Sequence, residues 1–239
     1  MNRWITLIAL LAPLVQVALM GFIGYPMARR RHGGMAAFHR SGFTWWLVTL
    51  VLVLVLGAHY APATLRPAAS SAHTITVIRV AVTVLAGLAL LLAIEGAALL
   101  VGRRRLQSKD TDRYSEALPM WGRGPASEPI LLALLGVGEE AVYRGLALGG
   151  LLGVWGTSKP VAAAIVAAAF GLAHWYYGAK QVALKSLVGA VLCSVAMSSG
   201  WVVAALVHAL LNGILVALNR SPLVTGRPTA DPTLGGAET

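Results

Sequence analysis

Long apolar runs constrain this chain more than any other feature. They cover 4–25, 44–60, 74–102, 129–155, 160–178, 182–198 and 201–218. About 20 helical residues cross the ~30 Å hydrocarbon core of a bilayer. At that depth the backbone must satisfy its own N–H and C=O groups, which helices and closed barrels do. The runs lack the alternation of barrel strands. The expectation is therefore an all-α fold, a polytopic membrane helical bundle of about seven transmembrane helices, roughly six to eight. The second and sixth runs are short, and the sixth carries Lys185. Composition agrees: 57% of residues are hydrophobic and 12% charged, about half the charge of a soluble domain. A soluble enzyme is excluded.

The charges that remain are unevenly placed. Net charge is +10, which in a soluble protein would suggest nucleic acid. Here no basic domain with interleaved aromatics exists to bind RNA or DNA, and the cations sit between apolar runs. Arg29, Arg30, Arg31 and Arg40 lie in the first loop, and Arg103, Arg104, Arg105, Lys109, Arg113 and Arg123 in the third. Lys180, Lys185, Arg220 and Arg227 fall on the same side if there are seven helices, against Arg3, Arg66, Arg79 and Lys159 on the other. The positive-inside rule then places the amino terminus outside and the carboxyl terminus in the cytoplasm, in an inner or plasma membrane. The first run reads as a retained helix, because no small-x-small cleavage site follows it. Arg79 and Lys185 are expected to snorkel toward the interfaces. The chain divides into helices and a loop (1–128), a polar-bearing helical core (129–218) and a cytoplasmic disordered tail (219–239). A single Cys, Cys193, leaves no disulfide framework and no Cys-based zinc site.

Ionisable residues inside spans are costly and functional by default. The later half of the chain holds Glu139, Glu140 and Arg144 in the fourth run, His174 in the fifth, and His208 with Asn212 in the seventh. Glu140 and Arg144 are i and i+4, hence on one face and able to pair. Glu139 points about 100° away and stays free of that pair. His208 and Asn212 share the i, i+4 spacing, as do Phe170 and His174. A carboxylate and an imidazole can hold a water and take its proton. A second imidazole and an amide can stabilise the oxyanion formed when that water attacks a carbonyl. The same atoms offer a metal alternative, with Glu139, His174 and His208 as an O/N/N set for a divalent ion such as zinc.

These residues resemble the three motifs of the CPBP intramembrane protease family, which includes the CAAX prenyl endopeptidase Rce1 and the bacterial Abi proteins. Glu139-Glu140-Ala-Val-Tyr-Arg144 fits E-E-x-x-x-R, Phe170-Gly-Leu-Ala-His174 fits F-x-x-x-H, and His208-Ala-Leu-Leu-Asn212 fits H-x-x-x-N. The resemblance covers about 129–218 and leaves the first three helices without a signature. It implies an α-helical intramembrane endopeptidase opening toward the cytoplasm, acting on a membrane-associated peptide or protein. Carried over, Glu139 and His174 activate the water, His208 and Asn212 form the oxyanion hole, and Glu140 and Arg144 support the first motif. A metal-free, glutamic mechanism with no cofactor is favoured, because Asn212 is a poor metal ligand and a good oxyanion donor.

Plainer readings stand beside these. The Glu–Arg pair can pin helices together, a lone His is commonly a core residue, and Asn212 can act as interhelical glue worth ~0.6–2 kcal/mol. Tyr143 and Trp175 read as packing, and Glu95 as an interhelical hydrogen bond. A non-catalytic membrane scaffold or immunity factor, or a proton-coupled transporter, would also bury such groups. For the transporter, no inverted repeat or matching pair of broken spans is visible.

Overall fold

The computed structural model describes residues 3–24, 35–65, 73–106, 128–175 and 178–220. Among them the regular structure is all helical, as the apolar runs require. The elements are α1 (Arg3–Leu19), prolonged by a π turn at Met20–Gly24, α2 (Met35–Tyr60), the short α3 (Pro62–Leu65) and α4 (His73–Leu106). Then come α5 (Glu128–Glu140), a π segment at Ala141–Leu148, and α6 (Gly149–Gly153). α7 (Lys159–Leu172), α8 (Ala179–Ser199) and α9 (Trp201–Arg220) complete the bundle. The Arg-rich first and third loops, Arg66 and the tail beyond Arg220 lie outside the described residues.

Each apolar run corresponds to helix. Val77–Ala98, Ala179–Ser199 and Trp201–Leu218 are each long and apolar enough to cross a membrane, while Arg3–Leu19, Trp45–Tyr60 and Lys159–Leu172 are shorter apolar helices. The sixth run proves longer than its hydropathy suggests. α8 has 21 residues, because Lys185 is accommodated inside the helix instead of ending it. The fourth run differs in the other direction. Its α-helix gives way after Glu140 to eight residues of π-helix, a wider i→i+5 turn that occurs mostly at functional sites.

Sharp turns set the last three helices side by side. Gly178 (φ +93°) precedes α8 and Gly200 (φ +91°) follows it, both in a region open to glycine and strained for other residues. α7 packs on α8, α8 and α9 pack on α4, α9 packs along α5, and α1 packs on α2 and the π segment. The polarity of the bundle is inverted relative to a soluble protein. Leu85 is 66% exposed and Ile130 65%, while Glu140 is fully buried and Arg144 is 3% exposed. In water such an apolar exterior would be a large adhesive patch. Facing lipid tails, it is the expected outer surface.

Candidate active site

α5 and α9 run antiparallel, and their facing turns build the site. Asn212 Nδ2 donates to the Leu132 carbonyl at 3.1 Å. One turn further along α5, Gly136 makes room: a Cβ there would lie 3.1 Å from Asn212 Nδ2 and 3.4 Å from His208 Cγ. One more turn brings His208 Nδ1 to Glu140 Oε1 at 2.9 Å. The i, i+4 spacing of His208 and Asn212 thus matches the 132, 136, 140 stripe of the opposite helix.

Glu140 is the anchor. Its Oε1 also accepts from Arg144 Nη1 at 2.8 Å, so the pairing expected from an i, i+4 spacing survives the change to a π turn. Arg144 Nη2 reaches across to the Gly189 carbonyl of α8 at 2.9 Å, and its guanidinium lies 4.8 Å from the Phe170 ring centre. One side chain therefore ties the π segment to α8 and caps an aromatic on α7. The guanidinium is thus held between a carboxylate, a carbonyl and a ring face, the kind of pairing a buried cation requires, while its Nε and the Glu140 Oε2 have no hydrogen-bond partner among the described residues.

Glu139 stays out of the Arg144 pair, as the helical turn between neighbours predicts. It has a different partner, which the sequence did not signal. Trp46 Nε1 on α2 donates to Glu139 Oε1 at 2.8 Å. The other carboxylate oxygen, Oε2, faces His208 Nε2 at 3.9 Å. His208 therefore stands between the two glutamates, bonded to one and facing the other. A Trp beside a second Trp in an apolar run is ordinary for an interfacial belt, and so Trp46 carried no mark of a site residue.

Phe170 is the hub that brings the second motif in. Its ring centre lies 5.0 Å from that of His174, 5.9 Å from His208 and 5.3 Å, edge-on, from Tyr143. His174 Nδ1 lies 2.8 Å from the Phe170 carbonyl. A carbonyl oxygen only accepts, so Nδ1 carries a proton, and in the neutral ring Nε2 is the acceptor. Tyr143 is fully buried in this packing. Trp175 instead stacks on Phe22 at 5.3 Å, away from the polar cluster and in keeping with a packing role.

Two expectations about outlying charges resolve together. Lys185 has a specific partner: its Nζ lies 2.7 Å from Glu95 Oε1, joining α8 to α4. The interhelical hydrogen bond expected of Glu95 is thus an ion pair, with the partly exposed ammonium compensated by a carboxylate. Arg79 Nη2 binds the Ser198 carbonyl at the end of α8 at 2.6 Å. As for metal, no three His, Cys, Asp or Glu side chains among the described residues come together as a metal-holding group. His208 spends Nδ1 on Glu140, and Asn212 spends an N–H on a backbone carbonyl.

Residues 127–214 match the family model described as type II CAAX prenyl endopeptidase Rce1-like. No curated protein matches the chain, and no solved structure does. The matched stretch contains all three motifs and the elements from α5 to most of α9. Together with the three membrane-length apolar helices, it supports an integral membrane protein and a hydrolase of the protease class. Residues 127–214 are thus similar to the Rce1-like family, in agreement with the resemblance read from the three motifs.

Proposed function

We propose that the protein is an intramembrane endopeptidase of CAAX-protease type, cleaving a membrane-associated protein or peptide near the cytoplasmic face with water activated by Glu139 and His174. The observation that carries this reading is His208 standing between two buried carboxylates, 2.9 Å from Glu140 and 3.9 Å from Glu139. A purely structural ion pair needs Glu140 and Arg144 alone. The second carboxylate and the imidazole, both buried, add desolvation cost that structure alone does not repay.

The roles follow from the bonding. Glu139, oriented by the Trp46 N–H, and the Nε2 lone pair of His174 hold the water, and Glu139 takes its proton as the oxygen attacks the carbonyl carbon. The resulting oxyanion needs donors. Asn212 has a second amide N–H beyond the one given to Leu132. His208, with Nδ1–H fixed on Glu140, donates from Nε2 when protonated there. Two glutamates against one arginine leave one negative charge, and an imidazolium at His208 neutralises the cluster. The proton then passes from Glu139 to the departing amine as the C–N bond breaks. This account uses no metal.

Purified variants in detergent with a fluorogenic peptide test it. A general base contributes roughly 10²–10⁴-fold, and an amide cannot take a proton, so Glu139→Gln should abolish detectable cleavage with the fold retained. Wild-type cleavage should persist after rigorous chelation. If Glu140→Gln is inactive and Glu139→Gln is not, the two glutamates exchange roles. Normal cleavage by both variants would overturn the proteolytic reading.

A further inference from the structure

The Glu95–Lys185 pair belongs to none of the three motifs, yet it lies beside the second one. Gly171 of α7 meets α8 so closely that a Cβ there would collide with Ser186 Oγ and the Val182 carbonyl. Ser186 directly follows Lys185, and His174 lies just past Gly171 at the end of α7. The pair is also accessible: the Lys185 side chain is 25% exposed and that of Glu95 12%, against 0% for both members of the Glu140–Arg144 pair. One ion pair is sealed in the bundle and the other is open at its edge.

We propose that the Lys185 ammonium anchors the C-terminal carboxylate of the substrate, with Glu95 holding the ammonium in place. The proposal rests on the proteolytic reading above. An ammonium has three N–H donors, and Glu95 Oε1 takes one of them. A second carboxylate can therefore be bound without breaking the first bond. A carboxylate entering at membrane depth needs a cation, and Lys185 offers one on the turn of α8 that meets Gly171, three residues before His174. A C-a-a-X motif occupies the last four residues of a chain. Any bond hydrolysed within it is no more than about 10 Å of extended backbone from the terminal carboxylate. Lys185 is a specificity residue in this scheme and Glu95 a positioning residue.

Two fluorogenic peptides, identical except for a free C-terminal carboxylate or a C-terminal amide, provide the test. The full-length protein should prefer the acid by about 10- to 100-fold in kcat/KM, the usual worth of a hydrogen bond to a charged group, with the difference mainly in KM. Lys185→Met should bring the acid down to the level of the amide, and Lys185→Arg should restore most of the preference. Equal kcat/KM for the two peptides with the wild-type protein overturns the inference without any variant. So does an undiminished acid preference in Lys185→Met. The two readings fail separately. Cleavage that stops in Glu139→Gln but ignores the terminal charge overturns the carboxylate anchor alone, whereas no Glu139-dependent cleavage of either peptide overturns the proteolytic reading and the anchor with it.

Discussion

Trp46 donates a hydrogen bond to Glu139 from another helix, at 2.8 Å. Such a bond does two things to a carboxylate: it stabilises the ionised form and fixes which oxygen is left for other partners. With Oε1 held by the indole, Oε2 is the oxygen turned toward His208. Trp46→Phe keeps most of the packing and deletes the donor. Cleavage should fall roughly 10-fold in single-turnover rate, at the low end for a hydrogen bond to a charged group, while the thermal midpoint in detergent changes little. An unaltered rate would make Trp46 a packing residue only. Glu139 and His208 were legible in the sequence because charges in apolar runs are conspicuous. Trp46 was not, since the indole that orients the base is 93 positions away and resembles any other aromatic at a membrane interface.

The α7–α8 contact decides whether Arg144 can reach its second helix. Gly189 lies in the middle of α8, and a Cβ there would come 3.1 Å from Ala167 Cα and 3.3 Å from Ala167 O. Those are backbone atoms, which cannot rotate away. The same residue's carbonyl accepts from Arg144, so pushing the helices apart also moves the guanidinium that holds Glu140. Gly189→Val should cost ~1–3 kcal/mol by overpacking and reduce cleavage as well. Gly213→Ala on α9 provides the contrast, since a Cβ there meets nothing within 4 Å and Ala is the better helix former by ~1 kcal/mol. Thermal unfolding of the two variants in detergent should therefore shift in opposite directions. Equal behaviour would show that helix propensity, not close approach, governs Gly189. The particular facing pairs, Gly171 with Ser186 and Gly189 with Ala167, required the register between two helices.

At the scale of the molecule, apolar side chains face outward and the charges face one another inside. This arrangement explains why 12% charged residues suffice: polar groups are needed at the loops and at the site, not over the whole surface. The Arg-rich clusters of the first and third loops predict an orientation through the positive-inside rule. Cysteine labelling reads it directly, because the native Cys193 is completely buried and should stay silent. With an impermeant thiol reagent outside the cell, Gly34→Cys and Ser108→Cys should be protected and Ala68→Cys should react. Labelling of both groups from one side would remove the alternating arrangement, and with it the cytoplasmic placement of the site.

Hydrophobic transfer and helical periodicity act locally, so they determined what could be read along the chain: the apolar runs, their helical state, and three motifs whose polar residues had no solvent to face. The i, i+4 spacings also carried through, since Glu140 meets Arg144 within one turn even where that turn is π. Tertiary structure decided which partner each group takes. His208 divides itself between two glutamates, Asn212 gives an N–H to Leu132, Arg144 finds the Gly189 carbonyl, and Lys185 pairs with Glu95. These contacts join residues 45 to 90 positions apart. A periodicity of 3.6 residues fixes the face on which a side chain lies. It does not fix which helix faces it or at what register, because those depend on the packing of the whole bundle.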